Sequence, residues 1–516
     1  MKPKANWAQG KLEAAVRRGY FQTLDLFAGC GGMSLGFHRA GFRSVGAIEI
    51  DPDARTSHEL NFSRLVPASD YAAQVDITQT SPKEATAHLD PLFGNTESAI
   101  DIVIGGPPCQ AFSRLGRARL WNLAKRKQAH AEDVRATMYE YYLAYVQELK
   151  PIAFVMENVR EMGKFVGHNL AEDIARQADS IGYETRYTIL NAVWYGVPQL
   201  RERLFIVGIS KELGLVPRFP SIRHDYDLPV GYSTSRAGKD HVEVLKPHDH
   251  YVDHYTRTPR LSPAVTAQQA FQDLPPIHEH LDGRLGKGVV RDVRKRAPYV
   301  HLANEYTKQM REWPYFKNGE REFTGHVIRY TPRDYEIFRR MPHGAQYPEA
   351  LRTANDIFNE RLSELEQELG HAVKESSPEW KRLRKATVPP YPDDRYPNKF
   401  RKMWPDHPAR TLPAHLGKDS YSHIHFDSDQ ARTISLREAA RLQSFPDGFH
   451  FAGSMNSQLR QIGNAVPPLL AYAVASTLKR DLLKLQTART EQGGRGASIH
   501  RGVTTNRRKV ELEKCR

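Results

Sequence analysis

Cysteine is scarce in this chain. There are three in 516 residues, Cys30, Cys109 and Cys515, and no two are close in sequence. That argues against a disulfide framework or a cysteine-built zinc site, and it fits a reducing compartment. Long apolar runs are also missing, and nothing approaches the roughly 20 residues of a membrane-spanning helix. The start, Met1-Lys2-Pro3-Lys4-Ala5-Asn6, lacks the apolar centre of a signal peptide. Negative charge is in deficit, with 60 Asp and Glu against 74 Lys and Arg, a net charge of +14. Such a surplus favours a polyanionic partner, although a generally basic surface would give the same balance. These absences together predict a soluble, cytoplasmic protein with no membrane association and no bound metal.

What is present is an ordinary globular composition, 40% hydrophobic and 26% charged, in a chain long enough to bury a core without staples. The first 210 residues alternate strand-like and helix-like segments. Thr23–Phe27, Ser44–Ile50, a third strand before Asp76, Ile100–Ile104 and Ile152–Met156 read as strands. Tyr183–Leu190 and Arg203–Gly208 read as a hairpin-like pair at the sheet edge, and residues 137–150 and 164–180 as helices. This order predicts an α/β fold with a doubly wound sheet, whose ligands bind outside its carboxyl edge.

Chemistry-bearing residues fall at successive strand ends. The first strand runs into Ala28-Gly29-Cys30-Gly31-Gly32, a turn that lets a cofactor approach the backbone. Glu49, 20 residues after Gly29, is placed to accept from ribose hydroxyls; a solvated strand-end carboxylate is the plainer reading. Asp76 suits an adenine amino group or equally a helix N-cap. The fourth strand exits through Gly105-Gly106-Pro107-Pro108 and presents Cys109, a candidate nucleophile on a stiff turn, or else a small core residue. A basic segment follows, from Arg114 to Lys127, read as a loop. Glu157 ends the fifth strand, where burial in a cleft would raise its pKa and favour proton donation. Arg201 and Arg203 share a face if extended and suit a planar acceptor or phosphates; a pair of surface arginines is the alternative.

Beyond Gly208 regularity fades until about Pro405. Asp356–Leu369 reads as a charged amphipathic helix. Residues 306–340 interleave Trp313, Tyr315, Phe316, Phe323 and Tyr330 with Lys317, Arg321, Arg329 and Arg333, a mix suited to base stacking and phosphate pairing. His248, His250 and His254 imitate metal ligands, but they lack a companion cysteine. Ser435 to Pro446 reads as a helix capped by Ser435 with Glu438 at the third position, and a second helix runs from Leu469 to Leu483. The expected layout is a loose basic lead-in (1–20) with one helical turn, a first catalytic part (21–210), a middle domain (211–405), a returning catalytic part (406–485) and a disordered basic tail (486–516).

Six stretches together resemble the cytosine-C5 DNA methyltransferases. Asp25-Leu26-Phe27-Ala28-Gly29-Cys30-Gly31-Gly32 is similar to the family's cofactor motif. Gly106-Pro107-Pro108-Cys109-Gln110-Ala111-Phe112-Ser113 resembles its catalytic-cysteine motif. Glu157-Asn158-Val159 is similar to its glutamate motif, and Gln199, Arg201 and Arg203 to its glutamine-arginine-arginine motif. Arg437 to Gln443 and Gly463 to Pro468 resemble its closing motifs. Asp133-Val134-Arg135-Ala136 is similar to a further signature, with Ala136 where glycine is usual.

The resemblance implies a Rossmann-like methyltransferase sheet with a smaller irregular target-recognition domain in the middle region. It implies S-adenosyl-L-methionine as cofactor, leaving as S-adenosyl-L-homocysteine, with Phe27, Gly29, Gly31, Glu49, Ile50, Asp76, Ile77, Pro107, Asn464 and Val466 as its contacts. Cys109 would attack C6 of a flipped-out cytosine, Glu157 would bond N3 and the amino group, Arg203 would meet O2, and Arg201 would steady the backbone. The implied partner is double-stranded DNA, with a cognate restriction endonuclease encoded nearby and the enzyme acting as a monomer. A transfer-RNA cytosine methyltransferase, or a binding module that kept the fold, would share many of these motifs.

Overall fold

The computed structural model describes residues 6–63, 72–89, 96–108, 138–164, 169–229, 248–253, 256–284, 292–317, 321–392, 399–418 and 421–497. Eight strands matter for the site: β1 (Gln22–Leu26), β2 (Arg43–Ile48), β3 (Ala72–Ala73), β4 (Ile102–Gly105), β5 (Ala153–Asn158), β6 (Tyr183–Asn191), β7 (Gln199–Leu200) and β8 (Glu202–Ser210). Among the helices of the described residues are α1 (Trp7–Arg18), α2 (Gly32–Arg39), α3 (Pro52–Phe62), α4 (Met138–Leu149), α5 (Leu170–Ser180), α6 (Tyr347–Leu369), α7 (Pro378–Thr387), α8 (Leu436–Leu442), α9 (Met455–Asn464) and α10 (Pro468–Ala497).

Seven of the strands form one sheet in the order β3-β2-β1-β4-β5-β8-β6. β1 to β5 pair in parallel, while β8 is antiparallel to both neighbours. β4 and β5 are buried along their whole length, as a parallel strand covered on both faces must be. The chain leaves β1 for β2 on one side and returns to β4 on the other. The gap between the carboxyl ends of β1 and β4 is therefore the sheet's switch point, where such folds bind ligands.

The two ends of the chain share one core. α10 lies along α2 so closely that a Cβ on Gly36 would stand 2.5 Å from the Ala471 Cβ and the Pro468 carbonyl oxygen. Ser435 caps α8 in a box with Glu438, as its sequence predicts.

Four expectations need correction. The lead-in is not loose, because α1 buries Ala8, Leu12 and Ala15 at helical spacing, and Lys11 Nζ donates to the carbonyls of Ile100, Leu149 and Lys150. The final helix does not stop near Leu483 but continues to Ala497; once its first turns are packed, extension needs no new nucleus. The charged helix of the middle region begins earlier, at Tyr347. Lastly, Trp313, Phe316 and Phe323 are core residues. Phe316 packs on Phe62 and Phe449, and the Arg39 guanidinium lies over the Trp313 ring. Residues 211–405 thus divide between the main core and a separate cluster built around Tyr335, Phe338, Tyr347 and Phe400.

Candidate active site

Three strand ends converge at the switch point. β1 leads into Phe27, which takes φ 56°, a left-handed conformation costing a side-chain-bearing residue about 1 kcal/mol or more. The turn that follows requires glycine at position 31. There φ is 98° and a Cβ would stand 2.5 Å from the Phe62 ring. Beneath this turn Ser34 Oγ donates to Asp25 Oδ2 at 2.6 Å. Burial pushes the Asp25 carboxyl up to about 7, against the opposing pull of the Ser34 hydroxyl.

Glu49 follows β2. Its Oε2 accepts from the Gly29 N–H at 2.7 Å and its Oε1 from the Asp51 N–H at 2.8 Å. Burial raises its pKa, and those N–H groups hold it down. Each carboxylate oxygen retains a second lone pair for a ligand. Beside it Ile50 is 57% exposed, an apolar side chain left uncovered at a strand end. At Gly29 a Cβ would meet nothing within 4 Å. Asp76 lies three residues past β3 and is exposed; its Oδ1 accepts from the Thr78 N–H and hydroxyl, which lower its pKa. Ile77 is buried, and so is Val466. The Val466 carbonyl stands where a Cβ on Gly32 would be, 2.4 Å away. Asn464 ends α9 and is exposed.

At the mouths of β4 and β5, Glu157 is buried, and its Oε1 is 2.8 Å from Arg203 Nε. Desolvation raises the Glu157 pKa, while Arg203 and then Arg201 pull it down; the net shift is upward. Glu157 Oε2 would be 3.0 Å from a Cβ on Gly106, so the carboxylate lies against the turn that leads to Cys109. Asn158 Nδ2 donates to the Pro107 carbonyl at 3.2 Å and fixes that turn. Pro107 is buried and Pro108 exposed. Cys109 itself, the basic segment from Arg114 to Lys127, and Asp133 to Ala136 lie outside the described residues.

The two arginines of the motif separate. Arg203 reaches Glu157, whereas Arg201 is fully buried and turned the other way. Its guanidinium donates to the carbonyls of Leu412, Gly463 and Ala465 at 3.0–3.1 Å. Gln199 works beside it, donating to the Leu442 carbonyl and accepting from the Leu412 N–H. Gln199 and Arg201 therefore hold the C-terminal part against the sheet, and of the two arginines only Arg203 pairs with Glu157.

Sequence reasoning missed Asn158 as the clamp on Pro107, since it marks Asn158 only as part of the glutamate motif. It also missed the buried pairing of Arg441 with Asp447 and Asp273; two arginines on the buried face of α8 were the available signal. His250 is held between Glu172 and Asp179, and His254 lies outside the described residues. Among the described residues no cluster of His, Cys, Asp or Glu could hold a metal ion, and no helix is long and apolar enough to cross a membrane.

Comparison with known proteins agrees with this geometry. Residues 21–480 match the family model described as C-5 cytosine-specific DNA methylase. A putative type II methyltransferase of Oceanobacillus iheyensis, M.OihORF3336P, is 35% identical over 463 residues, covering 89% of this chain and 96% of that one. The type II methyltransferase M.AgeI of Thalassovita gelatinovora is 32% identical, covering 89% and 99%. Among solved structures, a putative DNA modification methyltransferase encoded within a prophage of E. coli superposes with a TM-score of 0.56 at 22% identity, covering 90% of this chain and 99% of that one; it shares the fold. The chain belongs to the C-5 cytosine-specific DNA methylase family and is a DNA (cytosine-5-)-methyltransferase.

Proposed function

We propose that the protein methylates C5 of one cytosine in a specific duplex sequence, with Cys109 as nucleophile, Glu157 and Arg203 as the groups that bind the flipped base, and S-adenosyl-L-methionine as donor. The observation that carries this is the Glu157–Arg203 pair, set against the Gly106–Pro107 turn at the switch point of the sheet.

The donor fits the residues around β1 and β2. Glu49 retains acceptor capacity for ribose hydroxyls, Ile50 offers uncovered apolar surface to an adenine ring, and the space at Gly29 is open. Phe27, Gly31, Asp76, Ile77, Pro107, Asn464 and Val466 complete the set. When bound, the donor supplies an electrophilic methyl group. Cytosine C5 is a weak nucleophile, and the chain's own residues address that. The Cys109 thiolate forms a bond to C6 and pushes electron density toward C5. Glu157 protonates N3 and accepts from the amino group, a role that burial's upward push on its pKa favours; Arg203 donates to O2. C5 takes the methyl, a base removes the C5 proton, and elimination releases Cys109. The base must leave the helix for this, since C6 is shielded in a stacked duplex.

Residues 211–405 act as the target-recognition region in this reading. The type II names of the relatives support a modification role, alongside a restriction endonuclease or as an orphan methylase. A cytoplasmic monomer acting on each strand in turn suffices for it. The test is transfer of labelled methyl groups to duplex DNA and to transfer RNA side by side, then sequencing of 5-methylcytosine in DNA from expressing cells. Label in DNA at one recurrent sequence is expected; label in transfer RNA alone would overturn the reading.

A further inference from the structure

α6 and α7 form a helical hairpin that stands out from the middle region. Its base is fixed: the Tyr347 ring packs on Phe400 at 5.6 Å, and the Tyr347 hydroxyl donates to the Tyr391 carbonyl at 2.6 Å. Beyond Phe358, α6 has no buried residue. Gly370 ends it in the left-handed conformation, and α7 folds back along it. The Trp380 ring meets the Phe358 ring edge-on at 5.4 Å, and the Arg384 guanidinium lies over both.

The two arms differ in charge. The outer part of α6 carries Glu360, Glu364, Glu366 and Glu368 against Arg361. α7 carries Lys381, Arg382, Arg384 and Lys385 against Glu379. Lys381, Arg382 and Lys385 are exposed, and their i, i+1, i+4 spacing puts them on one face. The ion pairs of this region use Arg340, Arg352 and Arg361. Among the described residues the three α7 cations form none. An exposed cationic face with no ion pair among the described residues, on a helix buttressed by Phe358, fits a polyanion.

We propose that α7 grips the phosphate backbone of DNA beside the target sequence, through Lys381, Arg382 and Lys385. The helix spans about 15 Å, which matches four to five base pairs at about 3.4 Å each. The proposal rests on duplex DNA being the substrate, and its failure leaves that reading intact, because methylation of a short duplex reports on it separately.

The test compares the full-length protein with the K381Q/R382Q/K385Q variant on two duplexes, one trimmed close to the target and one with about 15 base pairs on each side. Each phosphate contact contributes about 0.9 to the slope of log K against log salt, so the slope on the long duplex should fall by about 2 to 3. Affinity for the short duplex and the rate at saturating DNA should not change. A charge-matched control, R17Q/K83Q/K150Q, should keep the wild-type slope. An unchanged slope in the α7 variant, as expected if the face docks a protein, overturns the proposal. So does an equal loss on both duplexes, which would put the contact at the target itself or signal misfolding.

Discussion

Arg203 Nε lies 2.8 Å from Glu157 Oε1 across the antiparallel β5–β8 pair. One arginine thereby meets a buried carboxylate at the point where the turn toward Cys109 leaves β4. Removing it takes away a donor for the base and leaves Glu157 buried with less compensation. Arg203→Ala should lower kcat by about 10²–10³, the usual cost of one preorganised donor. Single-turnover methyl transfer measures this, and a loss confined to DNA binding would contradict it.

Arg201→Ala should behave differently. It removes three hydrogen bonds, two of them buried, that tie the C-terminal part to the sheet. The expected cost is about 3–5 kcal/mol of stability, read as a lower urea midpoint. Arg201→Lys should not restore it, because an ammonium cannot reproduce the planar fork.

Glu49→Ala removes the carboxylate that holds the Gly29 and Asp51 N–H groups and offers acceptors to a ribose. Loss of charged hydrogen bonds at about 1.5–3 kcal/mol predicts a rise of about 10- to 100-fold in KM for the methyl donor. KM for DNA should stay near wild type.

The pH dependence of stability tests Asp25. Burial pushes its folded pKa up to about 7 from the ordinary aspartate value of 3.8. The folded state therefore holds this proton after the unfolded chain has released it. The contribution is complete below pH ~4, declines as pH rises and is lost by about pH 7, an effect on the order of a few kcal/mol. Asp25→Asn should flatten the melting-temperature profile across that window. An unchanged slope would mean that Asp25 ionises normally.

Gly36→Val tests how the two ends of the chain join. The new side chain would start 2.5 Å from Ala471 and Pro468. Overpacking of this kind costs about 1–3 kcal/mol or more, and the variant should melt earlier than Gly10→Val, whose Cβ meets nothing within 4 Å.

The sheet was legible because its central strands are short, uninterrupted apolar runs ending in glycine or acid, such as Ile102–Gly105 and Ala153–Asn158. The partners of Gln199 and Arg201 were not, because the carbonyls that Arg201 meets lie 211 to 264 residues further along the chain. Local pattern cannot show such partners. Trp313, Phe316 and Phe323 illustrate another limit: an aromatic beside basic residues suits a nucleobase or a protein core equally, and here Arg39 over Trp313, Phe62 and Phe449 against Phe316, and Tyr299 against Phe323 settle it. In α1, Gly10 and three basic residues mask an apolar face that only packing reveals.

The central claim is that Cys109 bonds covalently to the target base. Duplex DNA carrying 5-fluorocytosine at the methylated position blocks the final proton removal, so enzyme and methyl donor should leave a denaturant-stable protein–DNA adduct whose mass includes the transferred methyl group. The adduct should form with wild type and disappear in Cys109→Ser. No adduct at the methylated site, or an undiminished one with Cys109→Ser, would contradict the account.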